Sequence, residues 1–307
     1  MMMDQTMRGL GRLTMRQIHL LATIDDANSL KAAAARIGMS QPRATKSLQE
    51  IEETAQQQLF IRTNRGLSAT PAGQCAIRHA KVMMSQVRSF QEELRHIADG
   101  EWARLRVGTI MGAVPLVTEA VLAFTERFPS VSIEILEDTS GELLRQLDRG
   151  DLDLVIGRSS VSPTPELYDV FAFQDEILTV VANPAHPLVG RKRVTLTDFS
   201  DSRWIVYTAR MPMRLSLEQE YQQAGLAFPR TLVETRSAFA TMSLVQSSQN
   251  YVALLSNDVA NVFAGLGIAR KLSFRLHSKS QAYELITRTR TPLPPAASEF
   301  IRLLTLR

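Results

Sequence analysis

The sequence predicts an α/β protein that carries an all-α winged helix-turn-helix at its N-terminus. Three observations predict it. Short capped helices crowd the first 70 residues and end on a hairpin. One long, heptad-patterned helix follows. From Leu105 onward, strands alternate with helices in two successive sets.

The first helix opens at Thr14-Met15-Arg16-Gln17, a capping box with Thr14 as N-cap and Gln17 at the third helical position. Ile18, Leu21, Ala22 and Ile24 follow at helical spacing, and the helix is expected to end near Asp25-Asp26. Ser29 caps the second helix. Its inner face is Leu30, Ala33, Ala34 and Ile37, and Gly38 stops it. Only Met39 separates that stop from Ser40, the next N-cap. So tight a turn between two short helices is a helix-turn-helix signature. Pro42 is tolerated in the first turn of the third helix, where its missing N–H has no intrahelical partner. Ala44, Leu48 and Ile51 share the inner face. Ser40, Gln41, Pro42, Arg43, Thr45 and Lys46 are left for the outside, where polar and basic groups can reach base edges and phosphates. Leu59-Phe60-Ile61-Arg62, a turn at Thr63-Asn64-Arg65-Gly66, and Leu67-Ser68-Ala69-Thr70 read as a hairpin, or wing. Arg62 and Arg65 sit where a wing meets the sugar-phosphate backbone.

Charge agrees with that placement. The 307 residues carry a net charge of +4, and residues 1–104 supply all of it, with 14 basic against 10 acidic side chains. The remainder balances at 21 of each. A basic front end on a neutral body implies a polyanion partner for the front end alone, although a solvated basic face has the same composition. With 45% hydrophobic and 21% charged residues, the chain can bury real cores.

Thr70 caps and Pro71 opens a helix expected to reach about Ala98. Ala76, Ala80, Met83, Val87, Phe90, Leu94 and Ile97 alternate in steps of four and three, an a/d seam. The seam is assigned to a partner helix, and so to a homodimer, because nothing nearby in sequence buries so long a stripe.

In the second part, strands are expected at Leu105–Thr109, Val131–Leu136 and Asp153–Gly157, with helices at Val114–Arg127 and Glu142–Arg149. This βαβαβ order predicts parallel pairing with right-handed crossovers. An apolar strand, Ile177–Ala182, precedes a second set. Its strands are Trp204–Tyr207, Thr231–Glu234 and Val252–Leu255, and its helices are Arg214–Ala224 and Ala238–Ser248. Tyr283–Arg288 is a strand crossing back, and Ala296–Leu304 a terminal helix. Ligands of open α/β sheets bind beyond the carboxyl ends of strands. That rule nominates Thr109, Met111, Gly112, Arg158, Ser159, Tyr207, Thr208, Arg210 and Ser237 for a small-molecule effector. For each, ligand contact and a packing or surface role both stay open. Arg158 and Arg210 suit a carboxylate, and the backbone at Gly112-Ala113 suits an anion, so an anionic effector is expected.

The run from Leu13 to Gly73 resembles the DNA-binding domain of LysR-type transcriptional regulators. The matching pieces are Ala32-Ala33-Ala34, Ser40-Gln41-Pro42, Leu48-Gln49-Glu50-Ile51-Glu52, Leu59-Phe60, Arg62-Thr63-Asn64-Arg65-Gly66 and Thr70-Pro71-Ala72-Gly73. The resemblance implies that Gln41, Pro42 and Lys46 contact bases or adjacent phosphates. It also implies dimerisation through the linker helix, a homotetramer, and a C-terminal effector domain of periplasmic-binding-protein-like fold. The chain departs from the family at Arg43-Ala44-Thr45-Lys46-Ser47, where a small residue and then Ser-Arg are usual.

No phosphate-binding glycine loop, dinucleotide fingerprint, zinc-protease motif or nucleophile elbow occurs. The five histidines are scattered and Cys75 is the single cysteine, so neither a metal nor any other cofactor is expected. Asp151 and Asp153 are read as turn caps. A lone cysteine, no apolar leader behind Arg8, Arg12 and Arg16, and no apolar run long enough to span a bilayer point to the cytoplasm and away from membranes. The expected organisation is a DNA-binding domain at 1–70, a linker helix at 71–100 and an effector domain at 101–307. The last divides into 101–175 plus 275–307, and 176–274. The expected function is a regulator that binds double-stranded DNA under effector control. The alternative is a solute-binding module whose N-terminal segment contacts proteins. An enzyme lacks a nucleophile–base pair.

Overall fold

The computed structural model describes residues 11–27, 29–63, 66–99, 102–173, 175–209, 211–277 and 281–305. Contacts divide the chain into one compact unit up to Ala103 together with Arg145–Leu152, and another of Arg104–Leu144 and Asp153–Arg307.

In the first unit, α1 (Met15–Ala27), α2 (Leu30–Arg36) and α3 (Gln41–Ala55) precede a hairpin of β1 (Phe60–Thr63) and β2 (Gly66–Ala69). The capping box forms at α1. The Thr14 N–H donates to Gln17 Oε1 at 2.8 Å, and the Gln17 N–H donates to Thr14 Oγ1 at 3.3 Å. Ser29 Oγ accepts from the Ala32 N–H at 3.1 Å. Ser40 stands at the N-cap of α3, but its hydroxyl makes no capping bond, contrary to expectation. Gly38 takes φ +63°, the left-handed conformation the tight turn requires. The wing is anchored by Glu52, whose carboxylate accepts from the Leu59 and Phe60 N–H groups at 2.8 and 2.9 Å. Leu20, Ala33, Ala44, Leu48, Ile51 and Phe60 form the core of the unit.

Helix α4 (Pro71–Asp99) starts where Thr70 Oγ1 accepts from the Gly73 N–H at 3.0 Å. Gly73 is obligatory, since a Cβ there would collide with the Leu59 carbonyl oxygen. The apolar stripe of α4 divides. Ile77 and Ala80 are buried in the core of the unit, with Ala76 packed against it. The seam expected to start at Ala76 is corrected here: its first two residues are used within the chain, because α1 lies against this end and Lys81 bonds Asp25 at 2.7 Å. Further along, Met83, Phe90 and Leu94 are exposed and Val87 is half-buried. The side chain of Ile97 lies outside the described residues.

The second unit holds two five-stranded sheets. The first is ordered β4 (Val131–Glu137), β3 (Trp102–Thr109), β5 (Leu154–Gly157), β12 (Glu284–Arg288), β6 (Tyr168–Ala172). β3 and β5 are parallel, whereas β12 runs antiparallel to both β5 and β6. The second sheet is ordered β11 (Arg270–Lys271), β7 (Leu178–Ala182), β10 (Tyr251–Ser256), β8 (Arg203–Val206), β9 (Leu232–Glu234). β8 is parallel to β9 and β10, while β7 is antiparallel to β10. The chain passes between the sheets twice, from Ala172 to Leu178 and from Lys271 to Glu284. Helices α5 (Val114–Arg127) and α6 (Ser140–Arg149) connect the first set, and α7 (Pro212–Gln223), α8 (Ala238–Ser247) and α9 (Asn257–Gly265) the second. Helix α10 (Pro295–Thr305) returns to α5, where Phe300 meets Phe124 edge-on at 5.6 Å between ring centroids. The core of the second sheet is built on fully buried Trp204, whose Nε1–H donates to the Tyr221 hydroxyl at 2.9 Å.

Candidate DNA-reading face and ligand cleft

Helix α3 turns Ala44, Ser47, Leu48 and Ile51 inward and leaves Ser40, Gln41, Pro42, Arg43, Thr45 and Lys46 exposed. The outer groups are lightly engaged. Thr45 Oγ1 donates to the Gln41 carbonyl at 3.1 Å, and Lys46 stands 3.9 Å from Glu50. So weak a surface pair leaves the ammonium available to a phosphate. Arg65 and the side chain of Arg62 lie outside the described residues.

In the second unit, the ends of β3, β5, β8 and β10 converge. Thr109 ends β3 and is fully buried. The turn after it, Met111–Ala113, docks on the second sheet. Met111 Sδ accepts from the Tyr207 hydroxyl at 3.2 Å, and Ser256 Oγ donates to the Gly112 carbonyl at 3.4 Å. Arg158 and Ser159 follow β5 and are buried. The Arg158 N–H donates to Ser140 Oγ at 3.1 Å, and the Ser159 N–H donates to Glu284 Oε2 at 2.8 Å. Arg158 extends its guanidinium to both crossovers. Nε donates to the Gln281 carbonyl at 3.3 Å, and Nη2 meets Glu176 Oε2 at 2.5 Å, with side-chain exposures of 6% and 1%. The other oxygen of Glu176 lies so near Gly112 that a Cβ there would collide with it.

Of the remaining nominees, Thr208 is half-buried after β8. Ser237 is exposed at the N-cap of α8, where its hydroxyl accepts from the Ala240 N–H at 3.2 Å. That capping bond accounts for Ser237 without a ligand. Arg210 lies outside the described residues. Burial first, then the carboxylate of Glu176, raises the pKa of Tyr207, and its phenol stays protonated. Burial, helped by Asp258 and Glu176, pushes Tyr283 up to about 12. Asp153 makes more than a turn cap. It pairs with Arg106 at 3.0 Å and accepts from the Arg106 N–H at 2.8 Å.

Two family models divide this chain between them. Residues 15–74 match the bacterial regulatory helix-turn-helix protein, lysR family, and residues 98–306 match the LysR substrate binding domain. The chain belongs to the LysR family. It is a transcriptional regulator with a DNA-binding helix-turn-helix and an effector-binding domain, and the family is not one of enzymes. The alternative of a solute-binding module whose N-terminal segment contacts proteins falls with that assignment.

The regulator is 29% identical over 288 residues to the HTH-type transcriptional regulator GbpR of Azospirillum brasilense, covering 93% of this chain and 84% of that protein. It is 26% identical to the HTH-type transcriptional regulator GalR of Pseudomonas putida, over 92% of this chain and 71% of that one. A full-length OxyR variant from Pseudomonas aeruginosa shares the fold, with a TM-score of 0.63 at 19% identity over 96% of this chain and 95% of that one. Full-length CbnR, solved with its target DNA, aligns with a TM-score of 0.52 at 18% identity over 95% of this chain and 98% of that one.

Several residues at this convergence of strand ends escaped the sequence reading: Glu176, Ser140, Ser256, Tyr283, and the ion pair of Arg236 with Asp138 at 3.1 Å. Glu176 had one usable signal. A crossover between two sheets has to pass the cleft, so polar residues on it are candidates to face inward. Among the described residues no cluster of side chains suits a metal ion, and no helix is long and apolar enough to cross a membrane.

Proposed function

We propose that the regulator acts in the cytoplasm as a homodimer, joined through Met83, Val87, Phe90 and Leu94 of α4, and that dimers pair into a homotetramer. Residues 1–70 bind double-stranded DNA, 71–100 link and dimerise, and 101–307 sense. In this reading Gln41 reads a base edge, Arg43 and Lys46 meet phosphates, and Ser40, Pro42 and Thr45 border them. Arg62 and Arg65 are assigned to the backbone beside the wing. A small molecule is held where β3, β5, β8 and β10 end, against Thr109, Met111, Gly112, Ser159, Tyr207 and Thr208. The observation that carries the sensing half is the docking of Met111 on Tyr207 and of Gly112 on Ser256, which brings polar groups of both sheets to one place. A ligand that prefers one arrangement of the two sheets shifts the protein toward it by that difference in affinity and no more. The anionic effector expected from Arg158 has less support, since that guanidinium already holds Glu176.

DNA selected from a random library by the full chain supplies an operator for the test. Its affinity is measured by anisotropy while candidate effectors are added. The expected result is a ligand that changes operator affinity for the parent and not for Thr109→Val. An equal response in both removes this cleft from the sensing role.

A further inference from the structure

Glu176 stands where a ligand carboxylate would be expected. Its chain enters from the crossover between β6 and β7, with its side chain only 1% exposed, and one oxygen meets the guanidinium of Arg158. The other fills the space beside Gly112, the turn whose backbone suits an anion. We propose that Glu176 is the specificity-determining residue of this site, a built-in carboxylate that excludes carboxylate effectors and leaves the site to a hydroxyl-bearing small molecule without an acid group. The proposal rests on the reading of this cleft as the effector site.

Tethering decides the competition for Arg158. A free carboxylate competes with one held by the chain itself, at an effective concentration of about millimolar or above. Burial strengthens the pair further, because either partner left alone would be a charge without water. Two neighbouring carboxylates also have partners. Asp258 bonds the Tyr283 hydroxyl, and Asp138 bonds Arg236 at 3.1 Å. With Arg158 held by Glu176 and Arg236 by Asp138, a carboxylate ligand finds no bare counter-charge on these two guanidinium groups. What remains for a ligand is hydroxyl chemistry: the oxygens of Tyr207, Tyr283, Thr109 and Ser256 can accept, while their protons are held by Met111, Asp258 and the Ile110 and Gly112 carbonyls. The two phenols are protonated at neutral pH, and burial and the adjacent carboxylates hold them still further from ionisation.

Thermal melts of the full chain test this. The parent is titrated with sodium acetate against sodium chloride at equal ionic strength, and with glucuronate against glucose. No carboxylate-specific shift is expected in the parent. Glu176→Ala opens a carboxylate-sized gap over Arg158. It should gain a saturable, acetate-specific rise of several degrees, or fold only when acetate is present. Glu176→Ala combined with Arg158→Met should lose that response. A saturable acetate or glucuronate shift in the parent overturns the proposal, as does a folded Glu176→Ala protein indifferent to acetate. Should Glu176→Ala fail to fold even with acetate, the parent titrations and Glu176→Gln decide, the latter expected to admit glucuronate. A neutral ligand whose shift survives in Thr109→Val and in Glu176→Gln binds elsewhere. That result would sink the effector-site reading while leaving the acetate result intact.

Discussion

The outer face of α3 and the floor of the cleft are both polar, yet they are built in opposite ways. On α3, Gln41, Arg43, Thr45 and Lys46 are exposed and make few bonds to the protein. Where β3, β5, β8 and β10 end, Thr109, Arg158, Ser159, Glu176 and Tyr207 are buried and bonded to other groups of the protein. Exposed polar groups keep their hydrogen-bonding capacity for a partner, with water holding the place meanwhile. Buried ones have to be satisfied before any partner arrives, or the fold loses the desolvation energy of each. A surface assigned to DNA therefore looks unfinished, whereas a site assigned to a small molecule looks complete without it.

The sharpest break in this contrast is Arg158→Ala. It strands the buried Glu176 carboxylate and should destabilise the effector unit by about 3–5 kcal/mol in urea melts. Replacing both partners by methionine should restore most of that loss, and equal losses in the single and double variants would show that the pair is not a unit. Phe90→Glu is next. If α4 dimerises through its exposed stripe, the loss of one buried aromatic should cost about 1.5–3 kcal/mol of association, read by sedimentation equilibrium. An unchanged dimer would assign Phe90 to open surface. Arg43→Ala and Lys46→Ala should each lower the slope of log affinity against log salt by about 0.9, as expected when one fewer phosphate is neutralised. The smallest effect concerns His186, whose pKa burial holds below its usual value. Its stabilising contribution is present above pH about 6.5, its unfolded pKa, and fades as pH falls through the folded one. His186→Asn should flatten that part of the stability profile, and a profile identical to the parent's would remove His186 as its cause.

How much could be read from the sequence followed from range. Helix caps and the wing are local, so Thr14, Ser29, Gly38 and Thr70 announced α1, α2, the turn and α4 in order. The alternation of strands and helices pointed to the fold class. The antiparallel β12 and β7 disrupt an otherwise parallel expectation, because each is entered by a crossover from the other sheet with no helix before it. Among the strands and α-helices of the described residues, three were missed: β6, β11 and α9. β6 is a short edge strand whose Val170 and Phe171 are exposed, so it lacks an alternating pattern. β11 has two residues, and α9 begins with Asn257-Asp258, which reads as a turn until Ser256 is seen to cap it at Val259. The stripe on α4 was legible as a stripe. Its division between core and open surface was not, since that depends on where α1 packs. The bonds of the nominated ligand residues were the least legible. Ser237 was accounted for by its own helix cap, and Arg158 by a carboxylate 18 residues away that no spacing rule connects to it.

The central claim is that α3 reads DNA sequence through its outer face. Selecting bound sequences from one randomised duplex library, with the full chain and with Gln41→Ala side by side, tests it most directly. The parent should enrich two half-sites spaced by about one helical turn, roughly 34 Å, as two symmetric recognition helices require. The variant should enrich the same site with preference lost at one base pair in each half, a loss of about 1–3 kcal/mol at that position. Identical enriched sequences from both proteins would contradict the assignment of Gln41, and no enrichment by the parent would contradict the account of α3 altogether.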